Sequence, residues 1–576
     1  MALFQSLAAA FVPPRDDLTL PQFILDDLDA HFTKPTRQAD VPCLIEDESG
    51  RALYVAELQH RTHTLAGALK CQWDIGTFNF LSLYAPNHID YAVIAWAVHR
   101  LGGIVATHSP TLTSDELVYQ FRKVRPMLVV AHPDNLSTAL HAMKQSGVTD
   151  DRLALLDGEL APGTPFPSIE SLIQHTGQPR SYTEKVLEAG QAKTTIAFLC
   201  FSSGTTGKPK AVSISHFNVI CNVIQCATFN RISEPYARRE ERRFRPGDIC
   251  SGVLPLYHIY GLVVNLHFVL YSAMTLVISK KFNFDNFLGS IQRHRITHLM
   301  IVPPQAVLFC KHPSVQRHDL SSVRYLMIAA APVSAELTEQ LLGVFPAAQL
   351  GQGYGMTETC ATISMFPTSQ KVGTLGSGGQ LVSGTTAKVV KPNGELAKIG
   401  ERGELYVTGP QVTLGYYLDD EATRTTFIDG WIRTGDEVMI QENGDLFITD
   451  RIKELIKVKG NQVAPSELEG YLLNHSDVAD AAVIGVHDEY AGELPRAYVA
   501  LKPHVAAVVQ RDQQAANHVR AKLYEHVASR TSRYKWLDGG IEFLNEIPKN
   551  ASGKILRRVL REVSNRATPL ANRSRL

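Results

Sequence analysis

The sequence predicts an α/β fold: a large N-terminal part of layered α/β subdomains with a small β-barrel-like unit, followed by a small α+β C-terminal domain. Three observations carry this. Apolar runs of strand length alternate with helical patterns through most of the 576 residues. Around residue 373 the chain turns to glycines and short alternating segments, "GTLGSGGQLVSGTTAKVVKPNGELAKIGERGELYVTG". Near Asp450 it becomes charged, "DRIKELIKVKG", and a shorter run of helices and strands follows. The expected domains are 1–450, with 373–449 as its β-rich subdomain, and 451–576.

Each element has a local reason. "TTIAFLCFSS" reads as a buried strand and "KAVSIS" as a second one. Ser215 is placed to cap a helix carrying Val219, Ile220, Val223, Ile224 and Ala227 on one face. "ICSGVLPLYHIYGLVVNLHFVLYSA" reads as strand, loop and apolar helix, and "THLMIVPPQAV" and "VRYLMIAAAPV" as buried strands ending in turns. Asn393-Gly394 signals a hairpin turn. Helical patterns occupy 465–474 and about 512–529. The charge cluster "RREERR" at 238–243 reads as a solvated surface loop.

Composition sets limits on function. Lys+Arg and Asp+Glu both number 57, so no global charge recommends a nucleic-acid partner. The eight cysteines show no C-x-x-C spacing, which argues against a zinc site and for reduced thiols in an intracellular setting. No apolar run approaches the ~18 residues of a transmembrane helix. The start, "MALFQSLAAAFVPPRDD", lacks a basic residue before its apolar patch and reads as an amphipathic start, not a signal peptide. The tail Ser574-Arg575-Leu576 resembles an S-K-L peroxisomal address with Arg for Lys. It implies a peroxisomal import receptor as partner and a peroxisomal location, otherwise a cytoplasmic one.

"FLCFSSGTTGKPKAV", residues 198–212, looks like a phosphate loop but is not a Walker A loop. Gly204, Gly207 and Lys208 are too close together, and Pro209 stands where the magnesium-binding hydroxyl should be. Yet Ser202, Ser203, Thr205 and Thr206 sit between glycines directly after a strand, with Lys210 beyond. Hydroxyls and bare amides in such a turn can wrap an anionic phosphate chain.

With "QGYGMTET" at 352–359, "GWIRTGDEV" at 430–438, "DRIKELIKVKGNQVAPSELE" at 450–469 and "IPKNASGKILRR" at 547–558, the loop resembles the signature of the adenylate-forming enzymes. These include acyl-CoA synthetases, luciferases and peptide-synthetase adenylation domains. "PLYHIYG" and "KELIKVKGNQVAPSELE" bring the likeness closest to 4-coumarate–CoA ligase and fungal acyl-CoA ligases. The resemblance implies that a carboxylic acid is activated with ATP to acyl-AMP, releasing pyrophosphate, and then transferred to coenzyme A. It gives ATP, Mg2+ and CoA as the cofactor and co-substrates.

Roles follow from the resemblance, residue by residue. Ser202, Ser203, Gly204, Thr205, Thr206, Gly207 and Lys210 would hold the β- and γ-phosphates. Thr357 would bond the α-phosphate, and Glu358 would ligate magnesium. Gln352, Gly353 and Tyr354 would flank adenine; Asp436, Arg451 and Lys453 would complete nucleotide binding, the first two at the ribose. Lys554 would join the acyl carboxylate and α-phosphate as a flexible cation. His258 would border acid and AMP. Tyr260, Ala330, Ala331, Gly353 and Met365 would line an acid pocket suited to an aromatic or a medium to long aliphatic acid, in fatty-acid or secondary metabolism.

The same likeness implies a mobile C-terminal domain that rotates about a hinge near 450–453. Rotation would bring Lys457 and Gln462 to AMP for thioester formation, while Lys281, Lys459 and Gly460 would contact CoA. A luciferase-like monooxygenase, an adenylate-only or carrier-loading ligase, and a silent acyl-nucleotide binding protein remain alternatives. Only about twenty residues follow Lys554, too few for a carrier segment. Intact Thr357, Glu358 and Lys554 argue against silence.

Overall fold

The computed structural model describes residues 3–26, 31–157, 166–174, 181–202, 209–331, 333, 335–459, 461–488, 490–550 and 553–567. Its architecture is mixed α/β, built on four sheets. In the first, strands Leu153–Leu155, Leu128–Ala131, Phe80–Tyr84, Ile104–His108 and Ile196–Ser202 run parallel, and Lys210–Ser215 closes the edge antiparallel. The second sheet has nine strands, with parallel Thr275–Ile278, Ile249–Gly252, His298–Ile301, Tyr325–Ile328 and Gln349–Met356 at its centre. Such parallel strands are near-continuous apolar runs because helices cover both faces.

Helices Tyr91–Arg100 and His216–Phe229 are buried along every residue, as expected of helices held inside a core rather than on its surface. Ser215 caps the second, accepting from the Asn218 amide at 3.1 Å. The apolar run after "PLYH" is helical, but with a π-helical turn over Tyr260–Phe268. The cause is a close approach. A Cβ on Gly261 would lie 2.1 Å from the Pro255 carbonyl oxygen, so the helix starts jammed against its own preceding turn.

The β-rich unit forms a six-stranded sheet, largely antiparallel, ordered Phe4–Gln5, Thr386–Val390, Arg402–Thr408, Trp431–Ile440 and Phe427–Ile428, with Leu446–Arg451 also pairing Trp431–Ile440. The expected barrel-like closure does not form. The two ends are two-residue strands that do not pair with each other, so the sheet stays open. The turn at Asn393-Gly394 is present, with Gly394 at φ +85°. Within the N-terminal segment, Phe4–Gln5 forms an edge strand of this sheet.

A fourth sheet, with Ile456–Val458, Asn461–Val463, Gly492–Leu501, Val478–Asp488 and Ile541–Leu544, carries helices Pro465–Leu473 and Gln513–Ala528 over its own core. The solvated-loop reading of 238–243 fails at Arg243, which is fully buried. Its guanidinium donates to Gln349, Asn230 and the carbonyls of Phe366 and Pro367, and sits 4.0 Å over the Phe366 ring. Five donors in a fixed fork satisfy a buried cation where a lysine could not. No disulfide joins the eight cysteines, and no helix among the described residues is long and apolar enough to cross a membrane.

Candidate active site

Two antiparallel strands hold the mouth of the glycine-rich loop, with Ser202 opposite Lys210. Ser203, Gly204, Thr205, Thr206 and Gly207 lie outside the described residues. Ser202 Oγ is buried without a hydrogen-bond partner among the described residues. Lys210 Nζ stands 4.8 Å over the Tyr416 ring, and the Tyr416 hydroxyl donates to Glu358 Oε1 at 2.9 Å. A cation, a phenol and a carboxylate thus run in line from the loop to the "TET" turn. Sequence reasoning missed Tyr416, which lies in no motif.

Thr357 and Glu358 are buried in the short 3-10 turn Thr357–Thr359. The backbone around them is strained. Cys360 and Ala361 have φ of +50° and +91°, and Ala330 has +75°. Gly355 makes this possible: a Cβ there would meet the Ala361 carbonyl oxygen at 1.5 Å. The strand Gln349–Met356 also shifts register between Tyr354 and Gly355. Such a bulge re-aims side chains.

Tyr354 donates its hydroxyl to Asp436 Oδ2 at 2.5 Å, and Arg451 Nε lies 3.4 Å from Asp436 Oδ1. Asp436 and Arg451 are direct cross-strand partners, so the sheet register itself pairs them. Burial raises the Asp436 pKa against the opposing pull of Arg451 and Tyr354. Burial also pushes the Tyr354 phenol well above its ordinary range, with Asp436 adding to it.

Lys554 sits on a tight loop. Its amide donates to Asn550 Oδ1 at 2.8 Å, and Lys549 and Ile555 bridge antiparallel behind it. Its ammonium is within electrostatic reach of Arg451, Glu454, Asp436 and Glu358; burial, with Arg451, brings its pKa down to about 8. His258 lies near this ammonium. Burial, then the Lys554 charge, bring its imidazole pKa down to about 4, so the ring is neutral at physiological pH.

A cavity of about 970 Å³ opens between the large sheets and the fourth sheet. Ala330, Ala331, Gln352, Gly353, Tyr354, Asp436, Arg451, Gln462 and Lys554 all line it. The Gln352 amide is already engaged: it accepts from the Val333 amide at 3.1 Å and donates to the Val333 carbonyl at 3.2 Å. Tyr260 is buried, donating to the Met327 carbonyl at 3.4 Å. Met365 is buried beside Gly353 on the paired strand, its sulfur accepting from Asn230.

Other expected residues are dispersed. Lys281 and Lys453 are exposed. Lys457 and Gln462 are exposed direct partners on one hairpin, and Lys459 stands 4.2 Å over the Tyr490 ring. Gly460 lies outside the described residues. Close to the loop, Arg557 gathers three carboxylates of the 450–469 motif: it reaches Glu469 at 2.7 Å and Glu454 at 3.3 Å, and Asp450 lies nearby.

Comparison with known proteins agrees with this geometry. The family model for the AMP-binding enzyme matches residues 32–417, and that for the AMP-binding enzyme C-terminal domain matches 467–554. The chain is 34% identical to acyl-CoA ligase AFT1-1 of Alternaria alternata, covering 97% of each. It is 33% identical to 4-coumarate–CoA ligase 2 of Oryza sativa subsp. japonica, again over 97% of each. In fold it is similar to the anthranilate CoA ligase AuaEII solved with anthranoyl-AMP (TM-score 0.81, 22% identity, 96% of this chain and 98% of that one). It is also similar to ATP-bound MatB of Rhodopseudomonas palustris (TM-score 0.79, 24% identity, 95% and 99%). The chain therefore belongs to the AMP-binding enzyme family, within the adenylate-forming superfamily.

Proposed function

We propose that this protein is an AMP-forming acid–thiol ligase that makes an acyl-CoA in two steps at one site. A carboxylate oxygen attacks the ATP α-phosphorus, the bond to pyrophosphate breaks, and acyl-AMP forms. The CoA sulfur then attacks the acyl carbon, AMP leaves with the bonding electrons, and the thiol proton passes to solvent. The observation that carries this reading is the placing of Lys554 beside the Tyr354–Asp436–Arg451 group. Two anions must meet in the first step, and a buried cation next to a nucleotide-shaped platform lowers that repulsion.

Asp436 and Arg451 serve the ribose, Tyr354 the adenine, and Thr357 the α-phosphate. Ser202, Lys210 and the glycine-rich turn hold pyrophosphate. Glu358, buried with only one oxygen bonded to Tyr416 in the described contacts, fits Mg2+, which takes one or two carboxylates together with phosphate oxygens. That ion would neutralise phosphate charge. Neutral His258 can border the acid without competing with Lys554 for it. The small residues Ala330, Ala331 and Gly353 leave room for a flat aromatic or extended aliphatic acid.

For the second step, residues beyond the hinge at 450–453 turn as a unit, and Lys457, hairpin partner of the cavity-lining Gln462, replaces Lys554 at AMP with Gln462 beside it. Lys281, Lys459 and Gly460 then meet CoA. The tail Ser574-Arg575-Leu576 delivers the protein to peroxisomes, where fatty-acid or secondary metabolites are activated; an N-terminal fluorescent fusion that stays cytosolic would refute the address. Pyrophosphate release across a panel of aromatic and aliphatic acids, with and without CoA, tests the function. Acid-dependent release with a CoA thioester as product is expected. Adenylate without thioester indicates an adenylate-only enzyme, light with luciferin and oxygen a luciferase, and no turnover a binding protein.

A further inference from the structure

Helix Pro303–Lys311 of the large part touches the C-terminal part at both ends. At its N-terminal end, Pro304 packs against the Lys554 loop so closely that a Cβ on Gly553 would lie 3.1 Å from the proline ring. At its other end, Lys311 Nζ donates to the carbonyls of Leu473 and Val478, each at 3.3 Å. Leu473 ends helix Pro465–Leu473 and Val478 begins the next strand. A lysine from outside thus caps the carbonyl end of a helix in the C-terminal part, the favourable end for a cation.

The same ammonium faces Asp480 and Lys502. Asp480 is held by Lys549 at 2.6 Å, and Lys549 bridges antiparallel to Ile555, next to Lys554. From Lys311 the contacts therefore lead through one carboxylate to the loop that delivers the reacting cation. Two contacts near opposite ends of a nine-residue helix, from Pro304 to Lys311 about 10 Å apart at 1.5 Å per residue, fix orientation as well as position.

We propose that Lys311 is a positioning residue for adenylation: it latches the C-terminal part in the orientation that presents Lys554, and it lets go when that part turns for thioester formation. This rests on the two-position reading above. Leu473 and Val478 move with the C-terminal part and Lys311 does not, so both bonds break on rotation. The latch is specific to one half-reaction.

Lys311 is exposed, so its replacement leaves folding intact. Lys311→Met is expected to slow acid-dependent pyrophosphate release about tenfold, as for loss of a charged hydrogen-bond pair. Thioester formation from supplied acyl-AMP and CoA should stay within about twofold of wild type or quicken, and Lys311→Arg should recover much of the adenylation. Equal losses in both half-reactions, or no loss in either, overturn the latch. Hydrogen exchange in the full-length protein gives a second reading without substrate. The Ser466 amide, which donates to Asp450 across the hinge at 3.1 Å, should exchange faster in Lys311→Met. Unchanged exchange overturns the latch whatever the protein catalyses, whereas a wild type that makes no thioester overturns the functional reading and leaves exchange to judge the latch.

Discussion

Tyr354 and Asp436 come from different sheets, 82 residues apart in sequence, and meet through a 2.5 Å hydrogen bond. The phenol donates to a carboxylate that is already opposed by Arg451. The second sheet and the open β-rich sheet are therefore joined at the wall of the cavity, and any loosening between them changes the shape of that wall.

Tyr354→Phe removes a hydrogen bond to a charged group, at a cost of about 1.5–3 kcal/mol. The KM for ATP should rise by roughly ten- to a hundredfold, with the KM for the acid nearly unchanged. Asp436→Asn should be more severe, because it also strands Arg451. Steady-state pyrophosphate release with ATP and acid varied separately checks both.

Adenylation should decline at alkaline pH. The Lys554 pKa lies at about 8, and in the proposed reaction only the protonated form would neutralise the two reacting anions. Hence kcat/KM for ATP should fall as pH rises through about 8, by roughly tenfold per unit beyond it. Lys554→Arg keeps its charge and should lose this limb at reduced overall rate; Lys554→Ala should lack adenylation while still converting supplied acyl-AMP. A wild-type profile flat to pH 10 would remove Lys554 from this role.

Gly261→Ala forces a methyl group to 2.1 Å from the Pro255 carbonyl oxygen. The helix start or the "PLYH" turn must move, at a cost of about 1–3 kcal/mol. Thermal unfolding should shift down accordingly. Both half-reactions should suffer, since His258 lies in the displaced turn. Gly289→Ala, where a Cβ meets nothing within 4 Å, is the control expected to leave both unchanged.

Glu469 gives a stability test. Burial raises its pKa from 4.5 to about 7, with Arg557 opposing. The unfolded chain then releases this proton near 4.5 and the folded chain near 7, so this group lowers stability as pH rises between those values. Glu469→Gln cannot titrate, so its melting temperature relative to wild type should increase from pH 4.5 to pH 7. Parallel melting curves across that window would contradict the assignment.

The motif residues were legible because chemistry fixes their type and the strands fix their aim. Tyr354, Asp436, Arg451 and Lys554 line one cavity though they come from segments 200 residues apart in sequence. What escaped depended on distant packing. Arg243 looks like any surface arginine until Phe366 and Gln349 fold over it. The π-helical turn at Tyr260–Phe268 follows from one carbonyl against Gly261, which leaves no periodicity to read. Lys311 and Tyr416 carry no local pattern, because their partners lie 58 to 167 residues away. Barrel closure was misjudged for the same reason: alternation shows that strands pair, not whether the last meets the first.

The strand Phe4–Gln5 pairs with Thr386–Ala387, and nearby Phe11 packs so tightly on Gly384 that a Cβ there would lie 2.7 Å away. During synthesis this segment must therefore wait for a partner about 380 residues downstream. At roughly 5–20 residues per second the delay is on the order of 20–80 seconds. Through that interval Phe4 and Phe11 have no docking partner. A segment made some 380 residues earlier is thus locked only when its partner strand emerges, and its docking marks completion of the large part of the molecule.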